Sequence, residues 1–215
     1  KSAFGGIILF NKKIDNDLEK IIIKNFFEVL VSPGYTNEAI DILRERKKLI
    51  LINSSKIPKI KKEISRTVRM GSLLQKDNNF KISKKSFKVV SKNNKLSPKE
   101  YDDIIFAFKV VKHIKSNGIV LVKNKRTVGI GAGQMNRYDA TKIAIMKYKE
   151  NFSLKNLVCA SDAFFPFIDS LKLLIRNNCR CIVQPSGSIN DHKIIDFVNK
   201  NKIRLIFSSK RVFKH

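Results

Sequence analysis

The chain has 215 residues, 43% of them hydrophobic, which suits one large globular domain or two small ones and excludes a disordered polymer. Its formal net charge of +26 invites a nucleic-acid reading. The lysines run through the whole length, however, both outside and inside basic clusters such as Lys59-Ile60-Lys61-Lys62, and an excess of Lys, Ile and Asn is what AT-rich coding produces. A basic nucleic-acid-binding α/β protein therefore stays as the alternative reading, with no specific nucleic-acid partner expected beyond nonspecific attraction at low salt.

Taken in chain order, Ile7 to Phe10 reads as a short apolar strand after Phe4-Gly5-Gly6. Asp15 to Phe26 has helical spacing in Leu18, Ile21, Ile22 and Phe26. Val29-Leu30-Val31 is a buried strand closed by the turn sequence Ser32-Pro33-Gly34-Tyr35. Thr36 then caps a helix over 37–46, and Leu49 to Ile52 returns as strand, a β-α-β-α-β pattern. From Asn53 to Leu96 the signal weakens: one strand over 68–74, a loop over 75–79 and a short edge strand at Val89-Val90. This polar, lysine-rich stretch is the expected junction between subdomains at 1–96 and 97–215.

Ser97-Pro98-Lys99-Glu100 is a helix start, with a capping serine, proline at the first helical position and glutamate three residues after the cap. The helix is expected to bury Ile104, Ile105, Phe108, Val111 and either His113 or Ile114, and to stop near Asn117-Gly118. Asn117 to Arg137 then reads as a strand, a polar turn, a second short strand and a glycine loop over 129–133. Glycines admit close approach of a ligand to backbone, and a helix start after them would aim N–H groups at an anion. Two readings of the loop stand open, an anion-binding turn and a tight strand-to-helix connection. Gln134 breaks the G-x-G-x-x-G spacing, and no G-K-[ST] follows, so neither a dinucleotide cradle nor a P-loop is expected.

The remainder alternates cleanly: helix 140–148, strand 157–160, helix 169–178, strand 181–183, helix 191–199 and strand 205–207. Such a run favours parallel strands, whose ligands gather at the carboxyl ends. The glycine loop, the Phe164 loop and the Ser186 loop all follow strands and can therefore converge. In Ser161-Asp162-Ala163-Phe164-Phe165-Pro166-Phe167 the aromatics fit either a packed corner or a platform for a flat heterocycle. The cysteines, Cys159, Cys179 and Cys181, are odd in number and read as reduced cytoplasmic thiols rather than a disulfide scaffold. No ligand spacing suggests a metal. No apolar run reaches the ~18 residues of a membrane span. His113, His192 and His215 lie far apart and are assigned no chemistry.

The strings SAFGG, KSNGIV, GIGAGQMNR, SDAFFPF, QPSGSI and RVFKH occur in this order. Over its whole length the chain thereby resembles the carboxy-terminal transformylase part of the bifunctional family that fuses AICAR transformylase to IMP cyclohydrolase. The resemblance implies α/β architecture with layered mixed sheets and flanking helices, built from cytidine-deaminase-like units without zinc. It implies transfer of the formyl group of 10-formyltetrahydrofolate, a co-substrate, to AICAR, giving FAICAR, which the cyclohydrolase domain closes to IMP. By matching motifs, Phe4, Gly5, Glu28, Asn117, Arg137, Phe164 and Arg211 fall on AICAR-binding positions, and Tyr138, Ser188 and Ile189 on folate-binding positions. Asn117 is the supporting polar group of the chemistry. The family's catalytic Lys-His pair and its cyclohydrolase domain would precede SAFGG, so the chain reads as a fragment that is inactive alone. Ile168 stands where many relatives carry arginine. A homodimer is expected by resemblance, in the cytoplasm.

Overall fold

The computed structural model describes residues 4–55, 63–77 and 80–214, apart from the side chain of Ile21. The expectations at Ile21, Lys59 to Lys62, Asn78-Asn79 and His215 lie outside the described residues. The chain forms two compact units, 1–75 and 76–215. Residues 76–96, part of the stretch read as the junction, belong with the larger unit.

In the smaller unit, β1 (Ile7–Leu9), β2 (Val29–Ser32) and β3 (Ile50–Asn53) form a parallel sheet in that order. Helices α1 (Asn16–Ile22) and α2 (Asn37–Arg44) connect them. Asp15 caps α1 by accepting from the Leu18 N–H at 3.0 Å, and Thr36 caps α2 by accepting from Ala39 at 3.2 Å. The first helix is shorter than its apolar spacing suggests. It ends before Phe26, which is half exposed and stacks on Phe4 with centroids 4.8 Å apart. Ile14, Ile22, Leu30, Ala39 and Leu43 form the core of this unit. The strand expected over 68–74 is instead a hairpin, β4 (Glu63–Val68) and β5 (Gly71–Lys76), turning at Arg69-Met70.

The larger unit is a six-stranded sheet in the order β6-β11-β10-β9-β7-β8. Its strands are β6 (Phe87–Val89), β7 (Ile119–Lys123), β8 (Arg126–Gly131), β9 (Leu157–Ser161), β10 (Cys179–Pro185) and β11 (Arg204–Ser208). The strands β9, β10 and β11 run parallel, as the alternation predicts, and β6 is an antiparallel edge strand on β11. Alternate residues of β9 enter opposite cores: Leu157 and Cys159 face one, Val158 and Ala160 the other. A strand buried on both faces has to read as an unbroken apolar run, which is why 157–160 is legible from sequence.

On one face lies α3 (Pro98–Val111); the other core takes residues of α4 (Arg137–Asn151), α5 (Asp169–Arg176) and α6 (Asp191–Lys200). The capping box of α3 is present: Ser97 Oγ accepts from the Glu100 N–H and the Glu100 carboxylate accepts from the Ser97 N–H. The helix buries Ile104, Ala107, Phe108 and Val111 but leaves Ile105 half-buried and His113 exposed, and it stops at Val111 rather than near Asn117. Asp103, a charged residue in that buried face, has a specific task. Its carboxylate accepts the backbone N–H groups of Asn124 at 3.0 Å and Lys125 at 2.6 Å, the two positive-φ residues of the β7–β8 turn.

Candidate functional site

Register defines one edge of the six-stranded sheet. The start of β7 lies opposite the ends of both β8 and β9, with Ile119 pairing Gly131 and Ser161. The carboxyl ends of β8, β9, β10 and β11 therefore point the same way as the amino end of β7. Asn117, Phe164, Ser188 and Arg211 stand in the connections at this edge, and Arg137 opens the helix that follows one of them.

Glycines 129 and 131 belong to β8 itself, not to a loop. A Cβ on Gly129 would lie 2.1 Å from the Ala144 carbonyl oxygen, and one on Gly131 1.8 Å from that of Ala140. Both glycines thus let α4 lie directly on the strand, and the connection between them contains Gly133 at φ +68°. Of the two readings open in the sequence, close packing accounts for these two positions. The helix begins at Arg137, with Asn136 as cap accepting from the Asp139 N–H at 2.7 Å. Close packing of α4 on β8 therefore fixes where Arg137 sits.

Arg137 is nearly buried, and its partner Asp162 wholly so. The guanidinium donates from Nε to Ser161 Oγ at 2.8 Å and from NH2 to Asp162 Oδ1 at 2.6 Å. The other carboxylate oxygen of Asp162 accepts from Ser116 Oγ at 2.5 Å, and Ser116 Oγ accepts from the Lys214 N–H at 3.1 Å. The backbone joins in: Asp162 N–H donates to Gly118 O, and Val212 N–H donates to Asp162 O. One carboxylate thereby ties together the end of β9, the start of α4, the residues before β7 and the segment after β11. Such a buried ion pair is tolerable only because its remaining oxygen is also hydrogen-bonded.

Asn117 follows Ser116 across a cis peptide bond. Its backbone N–H and its Nδ2 both donate to Gln134 O, at 3.2 and 3.0 Å. That pair fixes the amide plane and leaves Oδ1 and the second Nδ2 hydrogen for a ligand. Phe164 is half-buried in the loop after β9, while Phe165 is fully buried with its N–H donating to Gln184 Oε1 at 3.2 Å. Of the open readings of that loop, the packed corner describes Phe165, whereas Phe167 is 64% exposed. Arg211 is exposed, its guanidinium carbon 5.3 Å from the Phe213 ring centroid. Tyr138 lies under the Lys142 ammonium at 5.2 Å, Ser188 Oγ accepts from the Asn190 N–H, and Ile189 is 93% exposed.

Phe4, Gly5 and Glu28 come together in the smaller unit, ahead of β1 and β2. Gly5 has φ +63°, and a Cβ there would meet Glu28 Oε1 at 2.6 Å. The Glu28 N–H donates to Gly6 O at 3.0 Å. Sequence reasoning missed Asp162, Ser161 and Ser116. The available signal was a charged residue directly after an unbroken apolar strand, a position where burial without a partner is costly.

Among the described residues no group of three or more His, Cys, Asp or Glu could hold a metal ion. The three cysteines are free and buried, and burial pushes the thiols of Cys159 and Cys181 well up, away from nucleophilic behaviour. His113 is shifted the other way, below its usual range, first by partial desolvation and then by Lys112 and Lys214. Among the described residues no helix is long and apolar enough to cross a membrane.

The sequence profile of the family described as AICARFT/IMPCHase bienzyme matches residues 1–147. Proteins named bifunctional purine biosynthesis protein PurH match the whole chain. That of Fusobacterium nucleatum subsp. nucleatum is 41% identical over 214 residues, and that of Wigglesworthia glossinidia brevipalpis 42% identical over 216. The Aquifex aeolicus protein is 41% identical over 218 residues. In each case all of this chain is covered but only 41% or 42% of the relative, so the chain spans about two fifths of their length. The profile match, the full-length similarity and the α/β sheet carrying these motifs along one edge agree: the chain belongs to the AICARFT/IMPCHase bienzyme family.

Proposed function

We propose that this chain forms part of an AICAR transformylase of de novo purine synthesis. The enzyme moves the formyl group of 10-formyltetrahydrofolate to AICAR, and the full-length protein also closes FAICAR to IMP. The observation that carries the reading is the convergence of Asn117, Arg137, Phe164 and Arg211 at one sheet edge, held by the Asp162 network. In the transfer, the 5-amino nitrogen of AICAR forms a bond to the formyl carbon and the bond from that carbon to folate N10 breaks. The amine gives up a proton and N10 gains one.

Asn117, with its amide plane set by Gln134, orients the reacting amine or the formyl oxygen. Arg211, exposed after β11, suits the ribotide phosphate. Arg137, already matched by Asp162, serves more as a fixed donor than as a free counter-charge. Phe164 packs the imidazole ring, and Phe4, Gly5 and Glu28 complete the AICAR set, while Tyr138, Ser188 and Ile189 take the folate. The base comes from a Lys-His pair upstream of Phe4 in the longer protein.

Homodimerisation fits the apolar side of β1 and β3, where Ile7, Leu9, Ile50 and Ile52 are 74%, 71%, 56% and 40% exposed. Family membership favours this reading over nucleic-acid binding. The test is product analysis with AICAR and 10-formyltetrahydrofolate for the full-length protein and for residues 1–215 side by side. FAICAR is expected from the full-length protein only. No FAICAR from the full-length protein contradicts the activity, and FAICAR at an equal rate from 1–215 contradicts an upstream base.

A further inference from the structure

A cavity of about 630 Å³ lies in the larger unit between residues 80–82 and the carboxyl end of α3. None of the residues assigned above to AICAR or to folate lines it. Phe80, Ile82, Val110 and Ile114 give it an apolar lining, each held by packing on the α3 core. Lys81, Lys109, Lys112 and His113 complete it. Its volume falls within the ~300–1,000 Å³ of small-molecule sites.

Cations from separate elements converge here. The ammonium groups of Lys112, after α3, and Lys210, after β11, each stand 5.9 Å from the centroid of the Phe80 ring. The Lys214 ammonium donates to the His113 carbonyl at 3.3 Å. Like charges gathered around one ring repel one another, and an anion seated between them turns that repulsion into attraction. The end of α3 does not oppose an anion with open acceptors. Its carbonyls at Phe108, Val110 and Val111 accept the N–H groups of Lys112, His113 and Ile114. Desolvation first, then Lys112 and Lys214, hold the His113 imidazole below its usual range, and the opposing Asp77 carboxylate acts more weakly.

We propose that this cavity is a second anion site, built for an organic phosphate monoester. The phosphate lies between Lys112 and Lys210, and the organic body covers Ile82, Val110 and Ile114. The site is independent of the formyl-transfer reading.

The test titrates phenyl phosphate into the full-length protein. The readout is the pKa of His113, taken from the pH dependence of hydrogen–deuterium exchange at its imidazole C2–H and resolved by mass spectrometry. A bound phosphate favours the imidazolium, so phenyl phosphate is expected to raise that pKa saturably. Inorganic phosphate should need a higher concentration for half the shift, because it covers no apolar lining. In K112Q/K210Q the half-shift concentration of phenyl phosphate should rise about 3- to 10-fold, the range of two exposed ion pairs. K147Q/K149Q, which removes the same charge from α4, should match the wild type. Sodium chloride at equal ionic strength measures screening alone. A shift no larger than that of chloride, or an equal response in the two double variants, overturns the proposal. Inorganic phosphate acting at the same concentration as phenyl phosphate contradicts an organic ligand.

Discussion

Asp162 is the residue on which most of the site geometry depends. It is fully buried and carries two charged or hydroxyl partners, Arg137 and Ser116, besides two backbone bonds. Removing the carboxylate leaves the Arg137 guanidinium buried without its counter-charge. Asp162→Ala is therefore expected to lose about 3–5 kcal/mol of stability, measured by urea denaturation. Asp162→Asn keeps the shape and can still bond Ser116, so it should retain more stability than alanine. In the full-length enzyme it should raise the KM for AICAR more than it lowers kcat, because the Arg137 and Asn117 segments lose their common anchor. Equal stability of wild type and Asp162→Ala contradicts the assignment of the ion pair as a structural anchor. The sequence displayed this residue inside SDAFFPF, yet its aromatic neighbours drew the reading. Its one local mark was its place directly after an apolar strand, because its partners are 25 and 46 residues away.

At the scale of elements, the legible parts were those whose cause is local. The Ser97 capping box, the apolar runs of β9 and β10 and the Thr36 cap are each written in a few adjacent residues. The parts misread depend on distant packing. The glycines of β8 look like a loop because glycine is rare in strands, and only the approach of α4 explains them. Gly131→Ala would place a methyl group within 1.8 Å of a helix carbonyl that cannot move aside without displacing α4. It is expected to cost at least about 3 kcal/mol by denaturant titration and to displace Arg137 as well. A Gly131→Ala protein as stable as wild type contradicts direct packing of α4 on β8. The hairpin of β4 and β5 was misread for a different reason. With neither strand buried, the period-2 pattern of a half-buried strand is absent, and only the Gly71 turn remained as a signal.

For the molecule as a whole, composition pointed away from the function. A net charge of +26 suggests polyanions, while the charge that shapes the site is a neutralised pair, Arg137 with Asp162. Order along the chain was more informative than amount. Motifs separated by tens of residues return to one sheet edge because β7 and β8 run against and then with the parallel core of β9, β10 and β11. That topology explains how Asn117, Phe164 and Arg211 become neighbours of one network without any being close in sequence. The most direct test of this account is the steady-state rate of formyl transfer to AICAR by the full-length protein and its Asn117→Ala variant. The account predicts transfer by the wild type and a fall in kcat/KM of roughly 100-fold or more in the variant, from the loss of an orienting group. A variant as active as the wild type would contradict the orienting role of Asn117.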